Sequence, residues 1–563
     1  MASDKLKNID ITHRVSVPLY SCKQIKAMEQ SWFEQGNSSF GLMQQAAWQI
    51  TKYMINHYQN STLKPLSALI WVGGGNNGGD GWLTAYYLQQ AGWRVHVIEV
   101  VANTKTTTED ESGSDANRAQ KMAISNGVPV TCFSDLMTNS QDILQALPSL
   151  FLADIYIDAI FGIGLNRAPT GTLKQALETF NKAAAQVGAL VVSVDVPSGL
   201  AASTGQVFDD IAVRADLTLC LVGRKLGLQT KDGLDFCGNV IDLPLIPLVA
   251  APMATLLSQP DHMPKRRQNS HKGSFGHVLI IGGNQIDGSQ GMGGAAILAS
   301  ASALAMGAGK LTTACHKAFH GALLTGLPDA MTIDLHDKKS VCELIQSADV
   351  IAIGMGLGRD DTAKTLFLSF VETAINHNKP LIIDADGLYH LASFDQDNHK
   401  LLKNLQDFSN LQSVMLTPHS GEAARLLGLS SDEVEADRVA AIYRCAERFG
   451  GAWVLKGAGS LILEDKLFVC GTGNSGLASA GMGDVLSGVV AGLLAQKDLA
   501  TCPNPLTQAV LIHGLAGDVL VNPQSRPLFA YHQSGLSIGQ RGLQAQDMPA
   551  AIRHVVEGLT AVD

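Results

Sequence analysis

The sequence predicts an α/β protein of two domains, each a mainly parallel sheet with helices on both faces. The chain has 563 residues, which is too many for a single hydrophobic core. Hydrophobic residues make up 46% of it and charged residues 16%, and its 56 glycines are typical of buried strands joined by tight turns. Short apolar runs alternate with helical stretches in both halves, and this alternation indicates βαβ units.

The predicted strands are short apolar runs. In the first half they are residues 68–72, 95–101, 155–160, 190–196 and 217–222, and in the second half they include 277–281, 350–353, 381–384, 414–417 and 452–455. One interruption, residues 243–267, contains five prolines and the basic run 265–267. We therefore expect a first domain over residues 1–250, a solvated linker over 251–268 and a second domain over 269–563.

The composition argues against several classes of protein. The net charge of -10, from 41 basic and 51 acidic residues, disfavours a nucleic-acid binder. Nine scattered cysteines without a CxxC pair indicate reduced thiols. Residues 1–14 lack the apolar core of a signal peptide, and the longest apolar runs, such as 485–495, fall short of the roughly 20 residues that span a bilayer. We expect a cytoplasmic homo-oligomer with small-molecule partners, no nucleic acid and no membrane.

The first glycine-rich loop follows the first predicted strand, and Trp82 is expected to open a helix. Its glycines match the dinucleotide-binding pattern GxGxxG at Gly73, Gly75 and Gly78. Glu99 ends the next strand, where a ribose-binding acid would lie. These features permit an NAD-dependent dehydrogenase, although a chain so rich in glycine matches GxGxxG easily by chance.

Three polar side chains in the same loop favour another function: Asn76, Asn77 and Asp80. The backbone amides of such a loop already favour an anion at the helix N-terminus. A carboxylate repels phosphate, so a loop that only bound pyrophosphate would have no use for Asp80.

Two further predicted strands end in oxygen-bearing side chains. Asp158 precedes a glycine-rich turn, and Asp195 lies at a strand tip with Ser198 in the turn that follows. The carboxyl ends of strands form the ligand crevice of open α/β sheets. Asn77, Asp158 and Ser198 could converge there as hard ligands for a cation, which leaves Asp195 for proton transfer. The alternative is a set of Asx turns and helix caps.

The segments 76–80, 158–164 and 195–199 together resemble the NAD(P)H-hydrate epimerase family, over about residues 15–247. The resemblance implies a Rossmann-like three-layer sandwich that interconverts the R and S epimers of hydrated NADH or NADPH. One departure is Gln44, where the family has an acidic residue after methionine, and it affects a helix rather than the site.

This resemblance also implies site residues. A potassium ion would be held by Asn77, Asp158 and Ser198, and Asp195 would be catalytic. The hydrate would contact Asn76, Asn77, Gly78, Gly79, Asp80, Gly162, Ile163, Gly164, Leu165, Asn166, Arg167, Ala168 and Asp195.

In the second half, a loop that ends in Gly481-Met-Gly-Asp484 leads directly into an apolar helix. Gly481 and Gly483 let the backbone approach a phosphate, and the helix N-terminus supplies amides and partial positive charge. Asp484 can take the proton of a hydroxyl that attacks the phosphate. The alternative is that Asp484 is the helix N-cap. Lys456, in an upstream turn, offers a charge for phosphate.

This pair of loops resembles the ribokinase-like superfamily. The segments 270–283, 354–358, 383–387 and 416–422 resemble ADP-dependent NAD(P)H-hydrate dehydratases in particular, over about residues 260–560. The resemblance implies that the hydrate binds at Ala308, Gly356, His419 and Asp484. ADP would bind at Lys456, Gly457, Ala458, Gly459 and Ser460, and at Asn474, Ser475, Gly476, Leu477, Ala478, Ser479, Ala480, Gly481, Met482 and Gly483.

The two resemblances together imply one repair pathway for cofactors hydrated at C6 of the nicotinamide ring. The second domain would restore only the S form, and the first would convert R to S. We expect the dehydratase to phosphorylate the ring hydroxyl from ADP or ATP, because phosphate leaves more readily than hydroxide. Asp484 would be the base, and Mg²⁺, held through Glu422, would neutralise phosphate charge. Epimerisation would proceed by loss and return at C6, assisted by Asp195.

Two rival functions remain. One is an NAD-dependent dehydrogenase fused to a sugar- or vitamin-type kinase, but the sequence shows no catalytic His, Tyr or Lys set for hydride transfer. The other is a binding module whose first domain has lost turnover. The intact residues Asn77, Asp158, Asp195 and Ser198 argue against that alternative.

Overall fold

The computed structural model describes residues 16–59, 66–100, 114–139, 147, 151–286, 290–397, 399–521 and 538–560. Residues 1–14 and the last residue of the predicted strand 95–101 lie outside these ranges. The chain divides into two compact units, residues 1–255 and 256–563. Both are α/β with mainly parallel sheets, which confirms the predicted fold class. In the described ranges no helix is long and apolar enough to cross a membrane.

The strands of unit 1 are β1 (Ser16–Leu19), β2 (Ser67–Val72), β3 (Arg94–Glu99), β4 (Val130–Cys132), β5 (Ile155–Ala159), β6 (Leu190–Val194), β7 (Leu217–Leu221) and β8 (Asn239–Leu243). Its helices are α1 (Cys22–Glu34), α2 (Ser39–Tyr58), α3 (Asn76–Gln90), α4 (Asp115–Ser125), α5 (Phe133–Asn139), α6 (Gly171–Val187) and α7 (Gly233–Phe236). A further strand, β9 (Ala254–Leu257), spans the division between the units.

The main sheet of unit 1 has the order β4-β3-β2-β5-β6-β7-β8, and every neighbouring pair is parallel. This is the Rossmann order, with one strand added at the far edge. Alternate residues of each strand enter separate cores on the two faces, as Ile70 and Trp71 do in β2. The order reverses between β2 and β5, so the ligand crevice is expected where these two strands end.

Helix α3 begins at Asn76, six residues before the start predicted at Trp82. The glycines of this segment are typical of a loop, but they serve close packing of the helix. A Cβ at Gly78 would clash with the Gly73 carbonyl, and one at Gly81 would lie 2.6 Å from the Ala159 side chain. The polar residues of the predicted loop therefore lie on the first turns of a helix.

The strands of unit 2 are β10 (His277–Ile281), β11 (Gln285–Ile286), β12 (Gln290–Gly291), β13 (Lys310–Cys315), β14 (Met331–Asp334), β15 (Val350–Ile353), β16 (Leu381–Ile383), β17 (Val414–Leu416), β18 (Ala452–Leu455), β19 (Leu461–Leu463) and β20 (Leu467–Cys470). Its helices are α8 (Gly293–Met306), α9 (His320–Gly326), α10 (Lys338–Ser347), α11 (Asp361–Asn376), α12 (Asp386–Gln396), α13 (Leu401–Ser409), α14 (Ser420–Leu427), α15 (Ser431–Ala436), α16 (Arg438–Phe449), α17 (Met482–Ala495), α18 (Pro505–Val521) and α19 (Met548–Leu559).

The sheet of unit 2 includes the order β20-β19-β18-β17-β16-β15-β10-β13-β14. It is parallel from β18 to β14, and β19 and β20 are antiparallel. Helices α8 and α17 pack closely through small residues, since a Cβ at Gly492 would lie 2.6 Å from the Ala303 carbonyl. The loops after β16, β17 and β18 leave the same edge of the sheet and carry the residues of the candidate site.

The predicted linker, residues 251–268, contains both ordered and exposed positions. Residues 254–257 form β9. Further along, the backbone N–H of Met263 donates to Leu559 (2.9 Å), and the guanidinium of Arg266 lies 3.7 Å from the centre of the Phe275 ring. Residues 264–268 are nevertheless exposed, and the bounds of the linker stay a prediction.

Candidate active sites

Asp158 is the penultimate residue of β5 in unit 1 and is fully buried. Its carboxylate accepts hydrogen bonds from the Ser198 hydroxyl (2.5 Å) and backbone (2.8 Å), the Ser193 hydroxyl (2.9 Å) and the Ile160 backbone (3.2 Å). Burial raises the pKa of Asp158, and these hydrogen bonds oppose the rise. All the donors are neutral, so a charged Asp158 has no basic partner among them.

The other two predicted potassium ligands meet Asp158 around Phe161. Asn77 donates to the Phe161 carbonyl (2.8 Å), and the Ser198 hydroxyl accepts from the Phe161 backbone N–H (2.8 Å). The structure thus brings together an amide, a carboxylate, a hydroxyl and a peptide carbonyl. These are hard oxygen donors, and the uncompensated buried carboxylate suits a cation. The residues therefore fit a potassium ion.

The turn that follows β5 supplies the other predicted contacts of the hydrate. Gly162 faces Asn77, because a Cβ on this glycine would lie 3.5 Å from the Asn77 side chain. Ile163, Leu165 and Ala168 are half-buried, and Gly164, Asn166 and Arg167 are exposed. The turn therefore forms an open edge beside Asn77. On α3, Asn76 is exposed, whereas Gly78 and Gly79 are buried.

Asp195 follows β6 with a left-handed backbone (φ +67°) and is 8% exposed. Its Oδ1 accepts from the Leu221 backbone N–H (3.0 Å) and forms an ion pair with Lys225. The Lys225 ammonium, 1% exposed, also donates to the Leu221 carbonyl (2.7 Å). Burial lowers the pKa of Lys225, but the charge and hydrogen bond of Asp195 outweigh it and the net pKa is raised.

Two other carboxyls share the electrostatic environment of this ion pair. Burial raises the pKa of Asp80 on α3 and that of Glu29 on α1, and in both cases Asp195 raises it further while Lys225 lowers it. Sequence reasoning identified Asp80 and Asp195 and missed Lys225 and Glu29. Lys225 had a signal, since it interrupts an apolar run, whereas Glu29 had none.

In unit 2, Asp484 lies in the first turn of α17 and is half-buried. The N-cap of this helix is Gly481, with φ +89°, so the alternative that Asp484 caps the helix is wrong. Burial raises the pKa of Asp484 to about 7, Asp384 raises it and Lys456 lowers it. A carboxyl that titrates near neutrality is suited to general-base catalysis.

Lys456 follows β18 and lies against the first turn of α17. Its ammonium is 3.0 Å from Asp384 Oδ1 and 3.8 Å from Glu422 Oε2, and Ser487 donates to the other oxygen of Asp384 (2.7 Å). A Cβ at Gly483 would lie 3.1 Å from the Lys456 ammonium. The structure therefore joins the two predicted nucleotide loops at this point. Asp384 was missed as a site residue, although the segment 383–387 was noted.

His419 and Glu422 form the N-terminal cap of α14. Nδ1 of His419 accepts from the Gly421 backbone (3.0 Å), and Glu422 accepts from the His419 backbone (2.8 Å). The His419 side chain remains 60% exposed, so capping leaves one face of the ring for a ligand. In the described ranges no cluster of three or more His, Cys, Asp or Glu residues is arranged to hold a metal. A magnesium site would thus need the nucleotide phosphates beside Glu422.

The remaining predicted nucleotide residues form two separate turns. Residues 457–460 close through a hydrogen bond from the Gly457 backbone to the Ser460 hydroxyl (3.2 Å). Residues 474–480 are held elsewhere, since Asn474 donates to Asp518 (3.0 Å) and Ser475 to Gln540 (2.5 Å). The side chains of Asn474 and Ser475 therefore position their own turn.

Ala308 is misplaced among the predicted hydrate contacts. It follows the C-terminal end of α8, whereas a Cβ at Gly356 would lie 2.7 Å from Met292, at the N-terminal end. The 14 residues of α8 separate these ends by about 20 Å. Asp484 is also far from Ala308. A Cβ at Gly481, the N-cap of α17, would lie 2.6 Å from Leu298, which belongs to the first half of α8. The residue near Gly356 is Ala295, 3.2 Å from that Cβ position.

His513 on α18 was not found by sequence reasoning. It is 9% exposed, hydrogen-bonds the backbone of Met482, and its Nε2 has no hydrogen-bond partner among the described residues. Burial lowers its pKa to about 4, so the ring is neutral at physiological pH. Through this hydrogen bond the His513 side chain contacts the turn of residues 481–484. No sequence motif marks His513.

Comparison with known proteins identifies a matching family profile for each half of the chain. A family profile described as YjeF-related protein N-terminus matches residues 39–227, and one described as NAD(P)H-hydrate dehydratase matches residues 278–533. A crystal structure of ADP/ATP-dependent NAD(P)H-hydrate dehydratase from Bacillus subtilis, co-crystallised with ATP and Mg²⁺, is 25% identical. It covers 53% of this chain and 95% of its own, with a TM-score of 0.41.

Curated relatives match almost the whole chain. The bifunctional NAD(P)H-hydrate repair enzyme Nnr of Coxiella burnetii is 31% identical over 96% of this chain and 99% of its own length. The enzyme of the same name from Vibrio cholerae is 34% identical over 95% and 98%, respectively. The chain therefore belongs to the family of bifunctional NAD(P)H-hydrate repair enzymes.

Proposed function

We propose that the chain returns hydrated NADH and NADPH to use through two separate active sites. Unit 1 interconverts the R and S hydrates, and unit 2 dehydrates the S hydrate at the expense of ADP or ATP. The observation that carries the second activity is Asp484, a carboxyl with a pKa of about 7 in the first turn of α17, beside the Lys456 ammonium. Family membership over nearly the full length supports both activities.

In unit 2, Asp484 takes the proton of the C6 hydroxyl. The hydroxyl oxygen bonds to the terminal phosphorus of the nucleotide as the bond to the bridging oxygen breaks, so ADP gives AMP. Phosphate then leaves C6 with the C–O electron pair, helped by the ring nitrogen, and the departing phosphate takes a proton from the neighbouring carbon. Lys456 and the N-terminus of α17 offset the phosphate charge, and Gly483 admits the phosphate because it has no side chain.

Magnesium, when bound, would neutralise phosphate charge during this transfer. Glu422 is the carboxylate that would hold it together with the nucleotide phosphates, because its side chain borders Lys456 at 3.8 Å. Asp384 serves another purpose, since both of its oxygens are engaged by Lys456 and Ser487. It fixes the ammonium that faces the nucleotide.

In unit 1, Asn77, Asp158 and Ser198 would hold potassium, which supplies positive charge beside the bound hydrate. Asp195 assists the bond cleavage and re-formation at C6 that interconverts the R and S hydrates. A cytoplasmic location is part of the proposal, and it is supported by the nine cysteines, all of which are free thiols in the structure.

The rival functions receive less support. Glu99, the candidate ribose-binding acid of a dehydrogenase, accepts a hydrogen bond from Gln120 (2.9 Å) on α4. The family match also covers both halves at once, which a dehydrogenase fused to a sugar kinase does not explain. A module that only binds would not need the buried ion pair of Asp195 and Lys225.

Product analysis tests the dehydratase proposal. Purified chain is incubated with S-hydrated NADH and ADP, and NADH, AMP and inorganic phosphate are quantified. We expect the three products in equal amounts, and with ATP in place of ADP we expect ADP and phosphate. NADH formed without nucleotide cleavage would contradict the proposal.

A further inference from the structure

Asp80 is a buried carboxyl without a hydrogen-bond partner in the described part of the chain. It is 8% exposed and lies on the second turn of α3, at the crevice where β2 and β5 end. An ionised carboxylate in such a place would lose its hydration without gaining donors, and this is costly. Asp80 is therefore disposed to keep its proton, and burial accordingly raises its pKa well above the usual value.

Asp195 has the opposite environment. It is equally buried, but its Oδ1 receives a backbone N–H and the ammonium of Lys225. These two partners fix the orientation of the carboxylate. Both bind Oδ1, and no described residue donates to Oδ2, so Oδ2 is left to face a substrate.

The cluster as a whole holds three carboxyls, Asp80, Asp195 and Glu29, together with the ammonium of Lys225 and, acting on Glu29, that of Lys26. Asp195 and Glu29 both act on Asp80 and raise its pKa further, while Lys225 lowers it. Lys225 forms its ion pair with Asp195, so Asp80 is left without a hydrogen bond from any described residue. Two carboxyls in such different surroundings at one crevice are the arrangement by which enzymes divide acid and base roles.

We propose that Asp80 is the general acid and Asp195 the general base of the epimerisation, and that Lys225 is a positioning residue that holds Asp195 through Oδ1. The inference rests on the proposed epimerase function. Asp195 takes the proton of the C6 hydroxyl, the bond from C6 to the ring nitrogen breaks, and the nitrogen receives its electron pair and the Asp80 proton. The aldehyde group formed at C6 then rotates, and the nitrogen adds to the opposite face of C6. The oxygen regains its proton from Asp195, and Asp80 regains its proton from the nitrogen.

This step uses no oxidant, no nucleotide and no water. Each carboxyl regains its starting protonation state within one turnover, so no proton has to cross the protein. A step that exchanges no proton with solvent is compatible with carboxyls as buried as Asp80 and Asp195, which are each 8% exposed.

The first test is Asp80→Asn, which keeps the size of the side chain and removes the proton donor. R-to-S conversion is followed chromatographically in potassium chloride, and dehydration of the S hydrate by the same chain serves as the internal control. We expect epimerisation to fall about 10²- to 10⁴-fold, with dehydration unchanged. Asp235→Asn, an exposed carboxyl of unit 1, is the matched control and should change neither activity.

Stability distinguishes a catalytic Asp80 from a structural one. Its folded-state pKa lies above the unfolded value, so ionisation destabilises the fold as pH rises from about 4. Asp80→Asn should therefore unfold at a higher temperature than wild type at pH 7, and this gain should vanish near pH 4. A lower unfolding temperature at pH 7, together with lost epimerisation, would assign Asp80 a structural role and overturn the proposal.

Lys225 is tested by separating kcat from KM and by a conservative rescue. Lys225→Met should lower the kcat of epimerisation with little change in KM, because Asp195 loses the ammonium that holds its Oδ1, and Lys225→Arg should restore most of the wild-type rate. If Lys225→Met does not fold, Lys225→Arg and Asp80→Asn still decide the matter. A wild-type chain without epimerase activity would refute the proposed function, whereas an active wild type with an equally active Asp80→Asn would refute only this inference.

Discussion

Asp484 and Asp80 are both carboxyls whose pKa is raised by burial, yet their surroundings suit opposite tasks. Asp484 lies beside Lys456, has a pKa of about 7 and so is substantially ionised at neutral pH. Asp80 receives no hydrogen bond from a described residue, and burial raises its pKa well above the usual value. The difference follows from the partners of each carboxyl rather than from burial alone.

Asp484→Asn tests the base of the dehydratase. Gly481 is the N-cap of α17, so the substitution removes no capping hydrogen bond. We expect dehydration to fall by at least about 10²-fold, because a positioned base is lost. Nucleotide binding and R-to-S epimerisation should persist. A folded Asp484→Asn chain that dehydrates at nearly the wild-type rate would remove Asp484 from the mechanism.

The pH dependence of dehydration should follow Asp484. The base acts when ionised, so the rate should fall as pH drops below about 7. Asp384 raises the pKa of Asp484, and Asp384→Asn should therefore move this limb to lower pH while weakening nucleotide binding, since Lys456 loses its anchor. Asp397→Asn breaks an exposed lysine–aspartate pair of the same length, 3.0 Å, and should leave the limb in place. An unmoved limb in Asp384→Asn would contradict this assignment.

At the residue scale, the motifs predicted the groups that end strands or begin helices. Asn77, Asp158 and Ser198 meet as the sequence suggested, because parallel strands bring their carboxyl ends to one edge. Lys225 interrupts an apolar run and so had a sequence signal, but its partner Asp195 is tertiary and no local spacing reveals the pair. His513 had no signal, since it acts through a tertiary contact.

At the scale of elements, glycine was the residue most open to misinterpretation. The glycines around Asn76 indicated a loop, but they let α3 start early and press against β2 and β5. The family resemblance implied Ala308 at the hydrate site, although α8 carries it to the wrong end. In both cases the strands were predicted correctly, and the error lay in where a helix begins or which of its ends faces the site.

The turn after β5 is the element that the proposed cation should order. Asp158→Asn keeps the shape of the side chain and removes the charge that would offset potassium. We expect the potassium concentration for half-maximal epimerisation to rise at least about tenfold, a loss typical even of outer-shell partners of metal sites. Dehydration by unit 2 should be unaffected.

Asp154→Asn is the matched control for this prediction. Asp154 lies just before the opposite end of β5 and accepts hydrogen bonds from the Ser67 backbone and hydroxyl (2.9 and 2.6 Å). Its replacement should leave the potassium response unchanged. If wild-type epimerisation is indifferent to potassium, the assignment of Asn77, Asp158 and Ser198 must be withdrawn together.

At the scale of the molecule, the chain consists of two compact units that meet in sequence at Thr255 and Leu256. The Leu257 carbonyl accepts from the Gly471 backbone (2.7 Å), and Gln508 bonds with Asp261 (3.0 Å). A fragment of unit 2 that starts near Met263, at the end of the predicted linker, would lose both contacts. The fragments to make are therefore residues 1–255 and 256–563.

We expect each of these fragments to retain one activity. Residues 1–255 should epimerise the hydrate without a nucleotide, and residues 256–563 should dehydrate only the S epimer. Chromatographic separation of the epimers measures both. Two folded fragments without activity, from a chain that is active when intact, would indicate that the sites depend on each other.

The central claim is that one chain carries two consecutive activities, and recovery of NADH from a mixture of R and S hydrates tests it most directly. With ADP present, the near-ultraviolet absorbance of the reduced nicotinamide should return completely for wild type. It should return rapidly only for the S share in Asp195→Asn, and not at all in Asp484→Asn. Complete, rapid recovery in Asp195→Asn, or any recovery without a nucleotide, would contradict the account.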